Sequence, residues 1–277
     1  MEANFYTIKC ITNMHMGSGD INFNIIDNEV QRDPLTKLPT MFSSGIKGAL
    51  REHFGNHEEV VNIFGSDIME SNKDNKGGSV PGKLKFLSGY LLFLPVRASK
   101  GKQAYYLVTT KEILIQFDAL YQSIMGKPIF GNLLQSIKSD TTYPPTDADA
   151  DAEVDGLKSK KEKISDDIKS IYSIFTMMAG EENADRFMIM EEKLVEKINL
   201  PILARNHLEN GISQNLWYEE VVPHEAIFFT AVLADGTDSG CKALQSFDEY
   251  ITGNSLVQFG GNASIGYGLT KVSKVEE

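Results

Sequence analysis

The sequence predicts an α+β fold built on a ferredoxin-like sheet. Three observations lead there. Segments of strand and helix period interleave along the chain, Asn210-Gly211 marks a hairpin, and a glycine-rich turn from Gly260 to Gly268 joins a last pair of strands.

The elements follow in order. Phe5 to Thr12 alternates as a strand, and Ser44 to His53 has the spacing of a short helix. The stretch near 66–82 is polar and glycine-rich and reads as an insertion. Lys83 to Leu94 and Tyr105 to Thr109 read as strands, with Pro95 marking an edge or a bend. Ile113, Phe117, Leu120 and Ile124 give helical spacing to Lys111–Met125. Ile164 to Phe175 reads as a helix and Glu182 to Glu192 as a helix or a strand. Asn210-Gly211 is a strong turn dipeptide, with Ala204 to Leu208 on one arm and Leu216 to Val221 on the other. Glu225 to Asp235 is an apolar strand, Ser239 to Gly253 an amphipathic helix, and Ser255 to Val272 a strand pair.

Composition bounds the function. In 277 residues, 42% of them hydrophobic, nothing separates two self-sufficient apolar sets, so one elaborated core carrying insertions is expected. No apolar run approaches the roughly 20 residues of a membrane span, and no signal segment opens the chain. Cys10 and Cys241 each lie in apolar surroundings and read as buried free thiols. A cytoplasmic protein with no membrane partner is the expectation.

The net charge of −11 argues against a free-standing nucleic-acid binder. Its distribution softens that objection. Nine acidic residues fall between Asp140 and Asp167, a stretch of low apolar content that reads as a solvated or disordered excursion. Tyr250 to Val275 holds two lysines and no acid.

Gly260, Gly261, Gly266 and Gly268, four glycines in nine residues, let a phosphate backbone come within reach of loop amides, although a plain hairpin connection would look the same. At the other end of the chain, Ser43 or Ser44 is placed to cap a helix on which Lys47 and Arg51 stand four residues apart. Free helix-start amides, a hydroxyl and two cations on one side would hold a phosphate without reading a base; the bland alternative is an amphipathic helix with solvated cations.

Read together, GSGD at 17–20, IIDNEVQRD at 25–33, LPTMFSSGIKGALRE at 38–52 and QFGGNASIGYGLTKV at 258–272 resemble the RAMP superfamily of CRISPR proteins. The residues 91–114 and 216–229 fit the same family, and within it the pattern is similar to backbone subunits of type III-B (Cmr) RNA-guided effector complexes. The resemblance implies a single RAMP domain over 1–277: an RRM-like palm with inserted finger elements, insertions near 66–82 and 139–163, and a thumb hairpin near 198–223. It implies binding to guide RNA and complementary target RNA, stacking with further copies of itself and with other subunits, and cleavage of target RNA.

Within IIDNEVQRD, Asp27 is an exposed acid on a loop, able to hold a divalent metal or take a proton from a ribose 2′-OH. The bland reading is an Asx turn made by Asp27-Asn28. The resemblance assigns Asp27 metal-dependent cleavage, with Mg²⁺ or Mn²⁺ as the ion. Asp20 and Asp33 are weaker candidates, and Asp33-Pro34 reads as turn chemistry. His15 is a second acid–base candidate whose ordinary alternative is a satisfied structural histidine. His53, His57, His207 and His224 show no zinc-ligand spacing. The resemblance makes the hairpin a thumb that wedges into paired RNA, with Arg205 or His207 reaching the backbone; Trp217 is expected to be buried at its base. Two other functions fit the same residues: a structural RNA-binding subunit that does not cut, and a guide-processing RAMP endoribonuclease.

Overall fold

The computed structural model describes residues 2–19, 25–66 and 80–276. In chain order the strands are β1 (Ala3–Cys10), β2 (Thr40–Met41), β3 (Leu84–Phe86), β4 (Gly89–Lys100), β5 (Tyr105–Thr110), β6 (Glu153–Val154), β7 (Phe187–Met190), β8 (Ile202–Glu209), β9 (Ile212–Glu220), β10 (Ile227–Ala234), β11 (Leu256–Gln258) and β12 (Leu269–Lys274). The helices are α1 (Ser43–Phe54), α2 (Val60–Phe64), α3 (Lys111–Met125), α4 (Asp166–Ala179), α5 (Glu192–Val195) and α6 (Asp238–Gly253).

Among the described residues ten strands form one mixed sheet, ordered β11-β12-β1-β10-β4-β5-β7, with β2 and β6 on β4 and β3 on β10. All its pairings are antiparallel except β5 with β7, whose connection carries α3 and α4. The central strands are covered on both faces, which is why Leu91-Leu92-Phe93-Leu94 is a continuous apolar run rather than an alternation. Leu91 and Leu94 join Tyr6, Ile8, Ile46 and Phe247 in one core. Leu92 and Phe93 join Phe5, Phe117, Phe175 and Phe229 in the other.

Local chemistry sets the helix limits. The Thr110 hydroxyl accepts the Ile113 N–H at 3.2 Å to start α3, and Gly126, at φ +79°, closes it. Ser165 and Thr237 cap α4 and α6 in the same way.

Two expectations change and one open choice closes. The strand read over Lys83–Leu94 is two, β3 and β4, and β4 runs through Pro95 to Lys100; the residue lacking an N–H sits where β10 has ended and β6 has not begun. Glu182–Glu192 contains the strand β7. The acidic segment 140–167 is not a solvated excursion: β6 extends the sheet on β4, and Thr142, Tyr143, Ala152 and Val154 are buried. Its polarity is absorbed internally, as where the buried Asp149 accepts from the Tyr106 hydroxyl at 2.9 Å and the Thr146 hydroxyl at 2.7 Å. Most of the stretch near 66–82, like Asp20, lies outside the described residues.

β8 and β9 form a separate two-stranded sheet, turned by Asn210 (φ +50°) and Gly211 (φ +80°), as the Asn-Gly pair demands. The large apolar side chains Ile202, Leu208, Ile212 and Leu216 stay exposed along it.

Candidate nucleic-acid interface and active site

Asp27 stands where the loop after the first strand meets the base of the hairpin. Its carboxylate Oδ2 accepts the Tyr218 N–H at 2.8 Å, while the Tyr218 carbonyl accepts the N–H groups of Asp27 and Asn28, each at 3.1 Å. Asn28 pairs alongside Glu219 in parallel, and its carbonyl accepts the Glu220 N–H at 2.9 Å. Asp27 is therefore not a local Asx turn: an exposed carboxylate is fixed to β9 by one oxygen, and the other makes no hydrogen bond among the described residues. Asp33 does make the expected turn, its Oδ1 accepting the Leu35 and Thr36 N–H groups at 3.0 and 2.8 Å.

The last two residues of β9 point to opposite faces and join three segments. On one face the buried Glu219 accepts from Arg205 Nε at 3.0 Å and from Asn262 Nδ2 at 2.8 Å, tying the hairpin to the glycine loop. The Arg205 guanidinium also lies over the Tyr267 ring, 4.5 Å from its centroid. On the other face the buried Glu220 binds Arg32 and accepts the Val30 N–H at 3.1 Å, tying the hairpin to the Asp27 loop. A buried acid stranded without such partners costs several kcal/mol, so these bonds hold the three segments together.

His15 lies inside this junction. Nδ1 is 2.8 Å from the Glu220 carbonyl, which fixes the N–H on that nitrogen, and Nε2 faces Glu219 at 3.9 Å. The ring is buried, and the His15 carbonyl accepts the Gly261 N–H at 2.9 Å. This is the geometry of a bracing histidine.

The glycine loop is held by its own chain. An added Cβ would lie 2.3 Å from the His15 carbonyl oxygen at Gly260 and 1.9 Å from the Phe259 carbonyl oxygen at Gly268, so both serve close internal packing. Gly261 and Gly266 have open space around them and face solvent.

A groove of about 550 Å³ separates this loop from α1. Gly45, Ala49, Glu52 and His53 line it from the helix and Gly260 and Gly261 from the loop. Lys47 and Arg51 project about half a turn away around the helix. Arg51 donates to the Gly65 carbonyl at 2.7 Å and so braces α2, whereas Lys47 pairs with no acid or carbonyl among the described residues. Neither Ser43 nor Ser44 caps the helix: Phe42 holds the cap position, its N–H bound by Gln31 Oε1 at 2.8 Å, and among the described residues no side chain takes the first-turn amides.

The sequence profile of the RAMP superfamily matches residues 7–271. The chain belongs to the RAMP superfamily. This RAMP chain is 25% identical, over its whole length and 97% of the relative's, to the CRISPR system Cmr endoribonuclease Cmr4 of Pyrococcus furiosus. It is 24% identical to the CRISPR system CMR subunit Cmr4 of Saccharolobus solfataricus, over 96% of this chain and 94% of that one. Among solved structures, a chain of the type III-B Cmr-beta complex bound to cognate target RNA superposes with a TM-score of 0.78 at 22% identity, covering 99% of this chain and 98% of that one. Oligomeric Cmr4 from Pyrococcus furiosus gives 0.72 at 21% identity, covering 100% and 99%.

In this RAMP chain the structure brings Asp27, His15, Arg205 and the glycine loop to one junction and leaves Lys47 and Arg51 on the far flank of α1. Sequence reading missed Glu219, Glu220 and Asn262. Two consecutive acids at a strand end look like solvated charge, and only the tertiary partners Arg205, Asn262 and Arg32 reveal buried clamps. Trp217, placed opposite Arg205, is only partly buried.

Proposed function

We propose that this chain is a backbone subunit of a type III-B CRISPR effector complex. In this reading several copies stack along a guide RNA, bind it through phosphate and ribose, and cleave the paired target RNA at regular intervals. The observation that carries it is Asp27: an exposed carboxylate fixed by Tyr218 to the base of a projecting hairpin. The similarity to proteins named as Cmr4, one of them an endoribonuclease, supports the same reading.

The palm is ferredoxin-like in this reading. Its support is the order β12-β1-β10-β4 with α1 following β1 and α6 following β10, which gives the βαββαβ sequence of that fold. Arg205 joins the first-turn amides of α1 as phosphate contacts, with Gly261 and Gly266 leaving room for the strand, and Lys47, on the far flank of α1, meets a phosphate of the same RNA outside the groove. The hairpin, with Leu208, Ile212 and Leu216 exposed, stacks against bases and displaces a target nucleotide.

Cleavage then needs the displaced ribose aligned with its own 3′ phosphate. The 2′-oxygen attacks phosphorus, the bond to the 5′-oxygen breaks, and the products are a 2′,3′-cyclic phosphate and a 5′-OH. In this reading Asp27 takes the 2′-OH proton, and solvent water supplies the proton that the leaving 5′-oxygen needs. One carboxylate with an oxygen outside the Tyr218 bond fits a Mg²⁺ or Mn²⁺ ion that draws its other ligands from phosphate and water. Among the described residues no set of three His, Cys, Asp or Glu side chains forms a cage of its own. Such an ion, when bound, offsets charge developing on the phosphate.

Size-exclusion of the protein mixed with guide RNA tests the assembly. Multimers that lengthen with the RNA are expected; a small fixed complex would instead indicate a guide-processing enzyme.

A further inference from the structure

The groove between α1 and the glycine loop is polar in an ordered way. At one end lies Gly45, in the first turn of a 12-residue helix whose first-turn N–H groups no side chain takes among the described residues, and so a donor end. At the other end lie acceptors. Gln258 donates Nε2 to the carbonyls of Tyr267 at 2.7 Å and Phe259 at 3.3 Å, and among the described residues its Oε1 accepts no hydrogen bond. Glu52 is exposed on the same wall, and no hydrogen bond or ion pair engages its carboxylate among the described residues. The basic side chain there, His53, sets Nε2 2.8 Å from the Asn254 carbonyl. Seven residues of helix separate Gly45 from Glu52, about 10 Å.

A bare carboxylate on the wall of a groove for a polyanion repels phosphate and calls for a donor. Phosphate oxygens donate nothing, and the donor present on every ribonucleotide and absent from deoxyribonucleotides is the 2′-hydroxyl. We propose that Glu52, on a groove that Gln258 also lines, accepts a hydrogen bond from a ribose 2′-OH of the bound strand and so selects RNA over DNA. The inference rests on the reading that this groove holds the guide.

The test titrates the full-length protein, at one fixed salt concentration, with an RNA oligomer and the 2′-deoxy oligomer of the same sequence. The parent should bind RNA about tenfold or more tightly, the scale of one hydrogen bond to a charged group. Glu52→Ala should lower RNA affinity to near that of DNA. A parent without preference, a Glu52→Ala variant that keeps the parent's ratio, or one in which both affinities rise together would overturn the assignment. Gly261→Leu separates this failure from failure of the groove itself. The nearest atom to a Cβ there is 4.0 Å away and its φ is outside the left-handed region, so the protein tolerates the side chain while the groove is filled. Weaker binding of both oligomers in Gly261→Leu, with the ratio unchanged in Glu52→Ala, would remove only Glu52. Unchanged RNA binding in Gly261→Leu would remove the groove, and the sugar-reading role with it.

Discussion

Gly260 and Gly261 are neighbours in sequence with opposite demands, and alanine at each should separate folding from binding. At Gly260 the backbone holds φ +75°, and an added Cβ would lie 2.3 Å from the His15 carbonyl oxygen, well inside the roughly 3.5 Å of ordinary heavy-atom contact. Left-handed strain costs about 1–2 kcal/mol for a side chain. Moving the His15 carbonyl forfeits the Gly261 N–H bond, a further ~1 kcal/mol. Gly260→Ala should thus lose about 2–3 kcal/mol, a Tm drop on the order of 4–12 °C for a chain of this size. Gly261→Ala should stay within about 0.5 kcal/mol of the parent, since nothing lies closer than 4.0 Å to its Cβ. Urea unfolding followed by circular dichroism measures both, and RNA titration of the folded proteins should show weaker binding in Gly261→Ala. Equal stability losses at the two positions would refute the packing described for the loop.

Arg51→Ala should cost about 1 kcal/mol of stability through the lost bond to Gly65 and leave the salt dependence of RNA binding unchanged. Lys47→Ala should do the reverse, reducing the slope of log affinity against log salt by about 1 without changing the Tm. Glu220→Ala strands Arg32 and the Val30 N–H and should cost about 3 kcal/mol, with protease cleavage near Asp27 as the local readout. Burial raises the Asp149 carboxyl, but hydrogen bonds from Thr146 and Tyr106 outweigh it and leave it below the ordinary carboxylate range. That contribution is complete above about pH 4 and is lost as pH falls through the folded value. Asp149→Asn should therefore be less stable than the parent at pH 7 and lose less between pH 4 and pH 2, measured by thermal unfolding.

Where sequence chemistry was local, it was legible. Asn210-Gly211 imposes the hairpin turn, and Thr110, the periodic apolar residues and Gly126 delimit Lys111–Met125 to the residue. Asp27 could be singled out as an exposed loop acid, but its bond to Tyr218 spans 191 positions and no spacing announces it. The helix cap was misread because the helix starts one residue earlier than a serine cap requires: Phe42 takes the cap position, held through its own N–H by Gln31 eleven residues upstream, and Ser43 and Ser44 fall inside the first turn. The segment 140–167 was misread because composition averages over it. Tyr143, Ala152 and Val154 suffice to anchor it once β4 offers an edge.

Asp27→Asn in the assembled complex, carrying its guide and given complementary target RNA with Mg²⁺, tests the central claim most directly. The amide oxygen can still accept the Tyr218 N–H, so the loop stays fixed to the hairpin while the carboxylate is gone. Assembly and target binding should match the parent, and the regularly spaced fragments should fall by on the order of 10²-fold or more. Fragments at the parent's rate would contradict the claim that Asp27 cuts, and failure to assemble would show instead that its charge holds the fold.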